Sequence, residues 1–277
     1  MSLLIALALA AAAPAATPIT LGTSFALDSK ALGDRRAVNV VLPAGYAANP
    51  KRNYPVLYVI DGGVDQDLIH VAGTVLLGAV WGRNQDAIVV GVETRQRRRE
   101  LVGSTADPAT RKQYPEAGHS GLFRAFLRDQ VKPLIAARYR TNGRDAVIGE
   151  SLAGLFIVET WLTEPALFGG YGAISPSLWW DKEALSLSAA ARIGARQAGH
   201  PLYLAIANEG TTMQAGVDRL VGGLGKAAKG YCYAPRADLT HATIYHAVSP
   251  SALAFLLPPD QAPDPAFGFD VKCAVKG

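Results

Sequence analysis

The chain has 277 residues, 49% of them hydrophobic and 18% charged, a composition that builds a globular core and excludes a disordered chain. Twenty-seven Lys+Arg against 23 Asp+Glu leave a formal charge of +4, too mild a balance for a nucleic-acid-binding protein. Two cysteines, Cys232 and Cys273, exclude a Cys-rich scaffold, and none of the five histidines pairs with another at metal-ligand spacing beside a carboxylate, so neither a metal nor an organic cofactor is expected.

The chain opens on an unbroken apolar run, residues 3–13, closed by Pro14. That run is too short for the roughly 20 apolar residues of a membrane span but suits the h-region of a secretory leader. Ala13-Pro14-Ala15 offers an A-x-A cleavage site, although the segment before the run carries no Lys or Arg. Residues 1–15 are therefore read as a signal peptide, with a buried N-terminal helix as the alternative. The expectation is a periplasmic or secreted protein with no integral membrane segment once the leader is removed. Export would also let Cys232 and Cys273 pair, fastening the Pro-rich tail 261–277. Two unpaired thiols are the competing reading.

Residues 37–42, 56–60, 87–92, 146–148, 171–174, 202–207 and 231–233 read as strands. They are short, nearly continuous in apolar residues and bounded by Gly, Pro, Asp or Asn, as strands buried on both faces of a parallel sheet are. Between them, Leu122, Phe123, Phe126, Leu127, Val131 and Leu134 fall on one helical face. Residues 152–162, 212–228 and 249–257 are further helix candidates. The alternation predicts one α/β domain over 19–260, with a mostly parallel central sheet and helices on both faces. Ligands of such sheets bind beyond the carboxyl ends of the strands, which directs attention to the residues following each one.

Gly149-Glu150-Ser151-Leu152-Ala153-Gly154 joins an apolar strand to an apolar helix. A nucleophile elbow has this setting, with Ser151 on a tight turn and small residues around it. The consensus G-x-S-x-G is departed from at Ala153, which is still small. A serine hydroxyl needs a base, and in this arrangement the chain order is Ser, acid, His. His241 follows the last strand candidate, in what reads as a loop, and is preferred to His246. His200 opens a strand, at the wrong end for chemistry. Glu209 stands at the tip of strand 202–207 and is the preferred acid, although a carboxylate there also suits the start of the next helix. Asp218 is the second choice and Asp181 the third. Oxyanion donors are expected at the backbone N–H of Leu152 and in the turn Asp61-Gly62-Gly63, with Gly63 favoured. Gly222-Gly-Leu-Gly225 is a poor dinucleotide motif, because it does not follow a strand.

Taken in order, Leu42-Pro-Ala-Gly-Tyr46, Tyr54-Pro-Val-Leu-Tyr-Val-Ile-Asp61-Gly62, the Ser151 motif and Ile174-Ser-Pro-Ser-Leu-Trp-Trp-Asp181 resemble the putative-esterase family of α/β-hydrolases, from about Ser24 to Leu257. The family includes siderophore esterases, feruloyl esterases and mycolyltransferases. The resemblance implies a Ser-acid-His hydrolase, supports Gly63 and His241 in their roles, and favours Glu209 because some members use glutamate. It also implies that Glu209 can be dispensable, since the siderophore esterases are described with a weak or absent acid. Arg95, Arg97, Arg98 and Arg99 lie in the loop after strand 87–92, which is similar to an Arg-bearing family loop that would suit an anionic or catecholate acyl group, with Arg95 and Arg98 taken as the binding candidates; a solvated basic loop is the alternative. Trp179 and Trp180 are candidates for an aromatic pocket, or for core packing beneath the site. The expected partner is a small-molecule ester, cleaved through an acyl-serine intermediate. An acyltransferase with the same residues and a catalytically inactive hydrolase-fold binding protein are the competing readings.

Overall fold

The structure, a computed structural model, describes residues 16–224 and 230–276; the proposed leader lies outside the described residues. The apolar runs form the sheet. β1 (Thr23–Ser29), β2 (Asp34–Val41), β3 (Tyr54–Ile60), β4 (Ile88–Val92), β5 (Thr141–Glu150), β6 (Tyr171–Ile174), β7 (Leu202–Ala207), β8 (Tyr231–Arg236) and β9 (Val275–Lys276) make one nine-stranded sheet in the order β1-β2-β4-β3-β5-β6-β7-β8-β9. From β4 to β8 all neighbours run parallel, while β1, β2 and β9 are antiparallel additions at the two edges. Every residue of β3, β4, β6 and β7 is buried, as strands with a helical layer on each face must be.

The helices are α1 (Leu68–Val80), α2 (Arg97–Glu100), α3 (Pro108–Gln113), α4 (Ser120–Phe126), α5 (Lys132–Arg138), α6 (Leu152–Thr163), α7 (Trp180–Arg192), α8 (Thr211–Leu224) and α9 (His241–Leu256). One core layer sets Phe123, Ile135, Phe156, Trp161 and Val217 against Tyr58, Val147 and Leu204. The other sets Val71 and Val75 of α1 and Ile244, Val248 and Leu253 of α9 against Val59, Ile148 and Ala205. The adjacent strand residues Tyr58 and Val59, or Val147 and Ile148, thus face opposite layers, which is the period-two alternation of a strand. Helices cover both faces of a mostly parallel sheet, as the sequence predicts.

Three differences from the sequence reading have local causes. β1 was not anticipated: its exposed and half-buried residues alternate at the sheet's edge, so it lacks the solid apolar run of the central strands. The helix expected over 122–134 is interrupted by a π-helical turn, Leu127–Val131, between α4 and α5. The terminal helix starts at His241, not at 249. Pro250 reads naturally as a first-turn residue, but it sits inside α9, and Thr240 with Thr243 caps the true start. His241 is therefore not a loop residue. It is held at the first position of a helix.

A buried ion pair ties the sheet's edge to the loop beyond β4. The Arg36 guanidinium on β2 donates to both oxygens of Glu100, at 2.6 Å each, and both side chains are fully buried. Glu100 also accepts the backbone N–H groups of Arg95 and Gln96, at 3.1 and 3.0 Å. Glu100→Ala leaves Arg36 held by Asp34 alone, at 2.6 and 2.8 Å, and leaves the Arg95 and Gln96 N–H groups without their acceptor. The substitution is therefore expected to lower stability by about 2–4 kcal/mol, measured by chemical denaturation. A loss under about 1 kcal/mol would show that the pair does not anchor the loop.

Cys232, buried on β8, and Cys273 form a disulfide that fastens the C-terminal tail to the sheet across a sequence separation of 41. Cys273→Ser is expected to cost about 2–4 kcal/mol in the same measurement, through the freedom restored to the unfolded chain.

Candidate active site

β5 ends at Glu150 and α6 begins at Leu152, so the chain reverses within one residue. Ser151 takes that reversal with φ 60° and ψ −117°, in the left-handed half of conformational space. Neighbouring backbone holds it there: its N–H donates to the Ile174 carbonyl and its own carbonyl accepts the Ser177 N–H, both at 3.0 Å. The flanking small residues are set by close approach. A Cβ on Gly149 would lie 2.7 Å from the Ala153 Cβ, and one on Gly154 would lie 2.8 Å from the Ile174 carbonyl oxygen. Alanine at 153 is thus accommodated because 149 is glycine.

Ser151 opens onto a cavity of about 470 Å³ whose walls include Leu152, Glu209, His241, Arg97, Arg98 and Trp179. The three residues singled out as nucleophile, acid and base line one cavity. The Ser151 hydroxyl lies 3.2 Å from the Ser177 hydroxyl. Glu209, just past β7, accepts from His241 Nδ1 at 2.9 Å through Oε2, and from the Ser175 hydroxyl through Oε1. Burial alone pushes the Glu209 carboxyl up, but the His241 and Ser175 hydrogen bonds outweigh it and hold the group below its ordinary range. The Glu209 hydrogen bond raises the His241 imidazole above its usual value despite partial burial. With Nδ1–H given to Glu209, Nε2 is the nitrogen left to accept a proton.

The Leu152 N–H, first in α6, has no acceptor within its own helix. The Gly63 N–H is engaged: it donates to Gln66 Oε1 at 2.8 Å, and the Gln66 amide in turn donates to the Thr94 carbonyl at 2.8 Å. The neighbouring Gly62 must be glycine, since a Cβ would meet Gly91 and Val92 backbone at 2.3–2.5 Å.

The remaining candidates separate. Trp179 is on the cavity wall, whereas Trp180 is 5% exposed behind it, its indole N–H given to the Gly103 carbonyl at 3.0 Å. Arg98 lines the cavity and stacks on Tyr114, with its guanidinium carbon 4.6 Å from the ring centre. Arg95 points away, toward the Arg35 carbonyl at 3.3 Å, and its place is taken by Arg97, which pairs with Asp61 at 2.9 Å. The rival groups lie elsewhere: His246 meets His70 of α1 edge to face, His200 contacts the Phe168 carbonyl, Asp218 bonds Gln214 and Asp181 bonds Thr105. Ser175 and Ser177 were missed as site residues. The only signal for them was their place in the Ile174-Ser-Pro-Ser run, where Ser175 also has a positive φ of 41°.

A family model described as Putative esterase matches residues 29–215. Among curated proteins, the ferri-bacillibactin esterase BesA of Bacillus subtilis is 28% identical over 169 residues, which is 54% of this chain and 56% of that protein. The siderophore triacetylfusarinine C esterase of Aspergillus fumigatus is 31% identical over 85 residues, 30% of this chain and 29% of that protein. The chain thus spans little more than half the length of the first of these relatives and under a third of the second. Among solved structures, an IroE-like serine hydrolase from Shewanella oneidensis superposes with a TM-score of 0.73 at 27% identity, covering 84% of this chain and 78% of that one. The BES protein from Bacillus cereus reaches 0.76 at 21% identity, over 89% and 99% of the two chains, a likeness of fold alone. The family match begins at the end of β1 and runs into α8, taking in the Ser151 turn and Glu209; on it, the chain belongs to the putative esterase family of α/β-hydrolases.

Proposed function

We propose that the protein is a serine carboxylester hydrolase acting on small-molecule esters of the siderophore or aromatic acyl type. The observation that carries this reading is the Glu209–His241 hydrogen bond beside a serine on a left-handed strand-to-helix turn, all facing one cavity. Ser151 Oγ attacks the ester carbonyl as His241 Nε2 takes its proton, and the oxyanion that forms meets the Leu152 N–H. For Gly63 to serve as second donor, its N–H must turn from Gln66 Oε1 to the oxyanion. His241 then gives the proton to the departing alcohol, and water, activated by the same imidazole, releases the acid from Ser151. Glu209 holds the ring with Nε2 inward and stabilises its cation. The substrate class is supported by the esterase relatives and by a cavity wall that sets the Arg98 cation and the Trp179 ring near Ser151, a combination suited to a catecholate or other aromatic anionic acyl group. An oxidising compartment, periplasmic or extracellular, is supported by the Cys232–Cys273 disulfide and by the leader-like run at residues 3–13.

The test is a hydrolysis panel of short acyl, feruloyl and catecholate esters. Catecholate or feruloyl esters are expected to turn over fastest, and Ser151→Ala to lose activity by about 10⁴-fold or more. A fluorophosphonate probe should label the native chain and not this variant. Equal activity in Ser151→Ala would remove the proposed nucleophile, and absence of labelling would favour an inactive binding protein. A competing alcohol in the assay separates hydrolysis from acyl transfer.

The base must be neutral to act and its pKa is raised, so kcat/KM should climb with pH through an apparent pKa above 6.5. Glu209→Gln takes away the main raising influence. It is expected to move that limb to lower pH while kcat falls by about tenfold or more. An unchanged limb would show that Glu209 does not act on the base.

A further inference from the structure

β5 brings two consecutive side chains to the cleft end of the sheet, and the scheme above uses only Ser151. The other is Glu150. It is half-buried, and its Oε1 is buried without a hydrogen-bond partner. A carboxylate oxygen shut away from water with no donor is destabilising, and a turn whose task is only to hold Ser151 has no need of one. By strand alternation Glu150 shares a face of the sheet with Ile148 and with its register partner Ile174, the face packed by α1 and α9. On that side lie Asp67, just before α1, and the His241 imidazole and Tyr245 phenol of α9, while Glu209 at the tip of β7 and Arg97 of α2 also act on the carboxyl. The Tyr245 hydroxyl is likewise buried without a partner. Arg97 is already paired with Asp61, so the group in this cluster that becomes a new cation during the reaction is the His241 imidazole.

Resting on the esterase reading above, we propose that Glu150 is a second positioning carboxylate for His241, one that stabilises the imidazolium formed when Ser151 gives up its proton and that leaves ring orientation to Glu209. The Ser151 O–H bond breaks and the proton moves to His241 Nε2, while Glu150, ionised on the alkaline side of its raised pKa, is neither donor nor acceptor in the transfer. Electrostatics agree. Burial pushes the Glu150 carboxyl up to about 7, with Asp67 and Glu209 adding to the rise, and the His241 charge is the largest influence pulling it back. In return, Glu150 is one of the groups that raise His241. Each group thus biases the titration of the other, and the acid limb of activity carries both.

The sign follows from the charge. Glu150→Gln keeps the shape and removes the anion, so the imidazolium loses support and His241 titrates lower. The acid limb of kcat/KM is expected to move down by about 0.5–1 pH unit, with kcat reduced about 3–10-fold and KM little changed. Glu150→Asp, which keeps the charge, should return the limb toward that of the native protein, a rescue that a purely structural role would not produce. If the amide disturbs the turn, Glu150→Met provides the same neutral comparison. The deciding readout needs no turnover: the His241 ring is titrated by NMR in the native protein and in Glu150→Gln, with its resonances assigned through His241→Asn. A lower His241 pKa in the variant supports the proposal, and the same pKa in both overturns it. Should the native protein cleave no ester in the panel, the function reading fails, while the titration still decides whether Glu150 acts on His241.

Discussion

The site depends on one backbone conformation. An L-residue at φ 60° and ψ −117° is strained by about 1–3 kcal/mol, and such strain persists only where the surroundings over-determine it. Here they do so from three sides. β6 takes the Ser151 N–H, the Ser177 N–H binds its carbonyl, and α6 packs so closely that Gly149 and Gly154 have no room for a side chain. The parallel order β3-β5-β6-β7 sets the strand tips side by side, so a turn after β5 lies next to turns after β6 and β7. Ser177 reaches Ser151, and Ser175 holds Glu209 against His241, from those neighbouring turns. Relaxing Ser151 would turn its hydroxyl away from the cavity that His241 and Glu209 line.

Buried charge organises the opposite wall. Arg36 grips Glu100, Glu100 gathers the N–H groups of Arg95 and Gln96, and the loop so fixed turns Arg97 onto Asp61. Asp61 is deeply buried at its own positive φ of 58°, and burial pushes its carboxyl up. A line of charged contacts thus runs from β2 to Arg97 on the cavity wall. Burial raises the carboxyls of Glu150 and Asp67 beside that line, to about 7 and about 6 respectively, and no full partner offsets it. The cleft concentrates negative charge around the one imidazole expected to become positive.

Much of this was legible in the sequence because it is written in short-range signals. Solid apolar runs marked the seven strands β2 to β8, and the Gly149–Gly154 stretch marked the turn. Glu209 was found because it follows an apolar strand directly. What was not legible depends on tertiary partners. β1 has no apolar run of its own and exists by pairing with β2. The start of α9 was hidden by Pro250, whose helix-starting preference is real but was overridden by packing along the whole segment. Arg95, Arg97 and Arg98 are equivalent as letters; only the Glu100 contacts decide that 97 and 98 turn inward and 95 outward. The same holds for Trp179 and Trp180, where one indole N–H finding the Gly103 carbonyl buries the second ring behind the first. Ser175 and Glu150 were marked only by standing at strand ends, since their significance lies in what each meets across the sheet.

The Cys232–Cys273 bond also closes a covalent ring, and α9 with His241 lies inside it. The ring joins the imidazole's helix to β8 through two chain paths instead of one. A protease that nicked the exposed stretch around Pro259 would open the ring without releasing a fragment. The last strand would remain tethered, and His241 would stay attached to β8 by the uncut path. Only reduction together with cleavage would shed the tail, so the molecule can lose the continuity of its C-terminal segment and keep its shape.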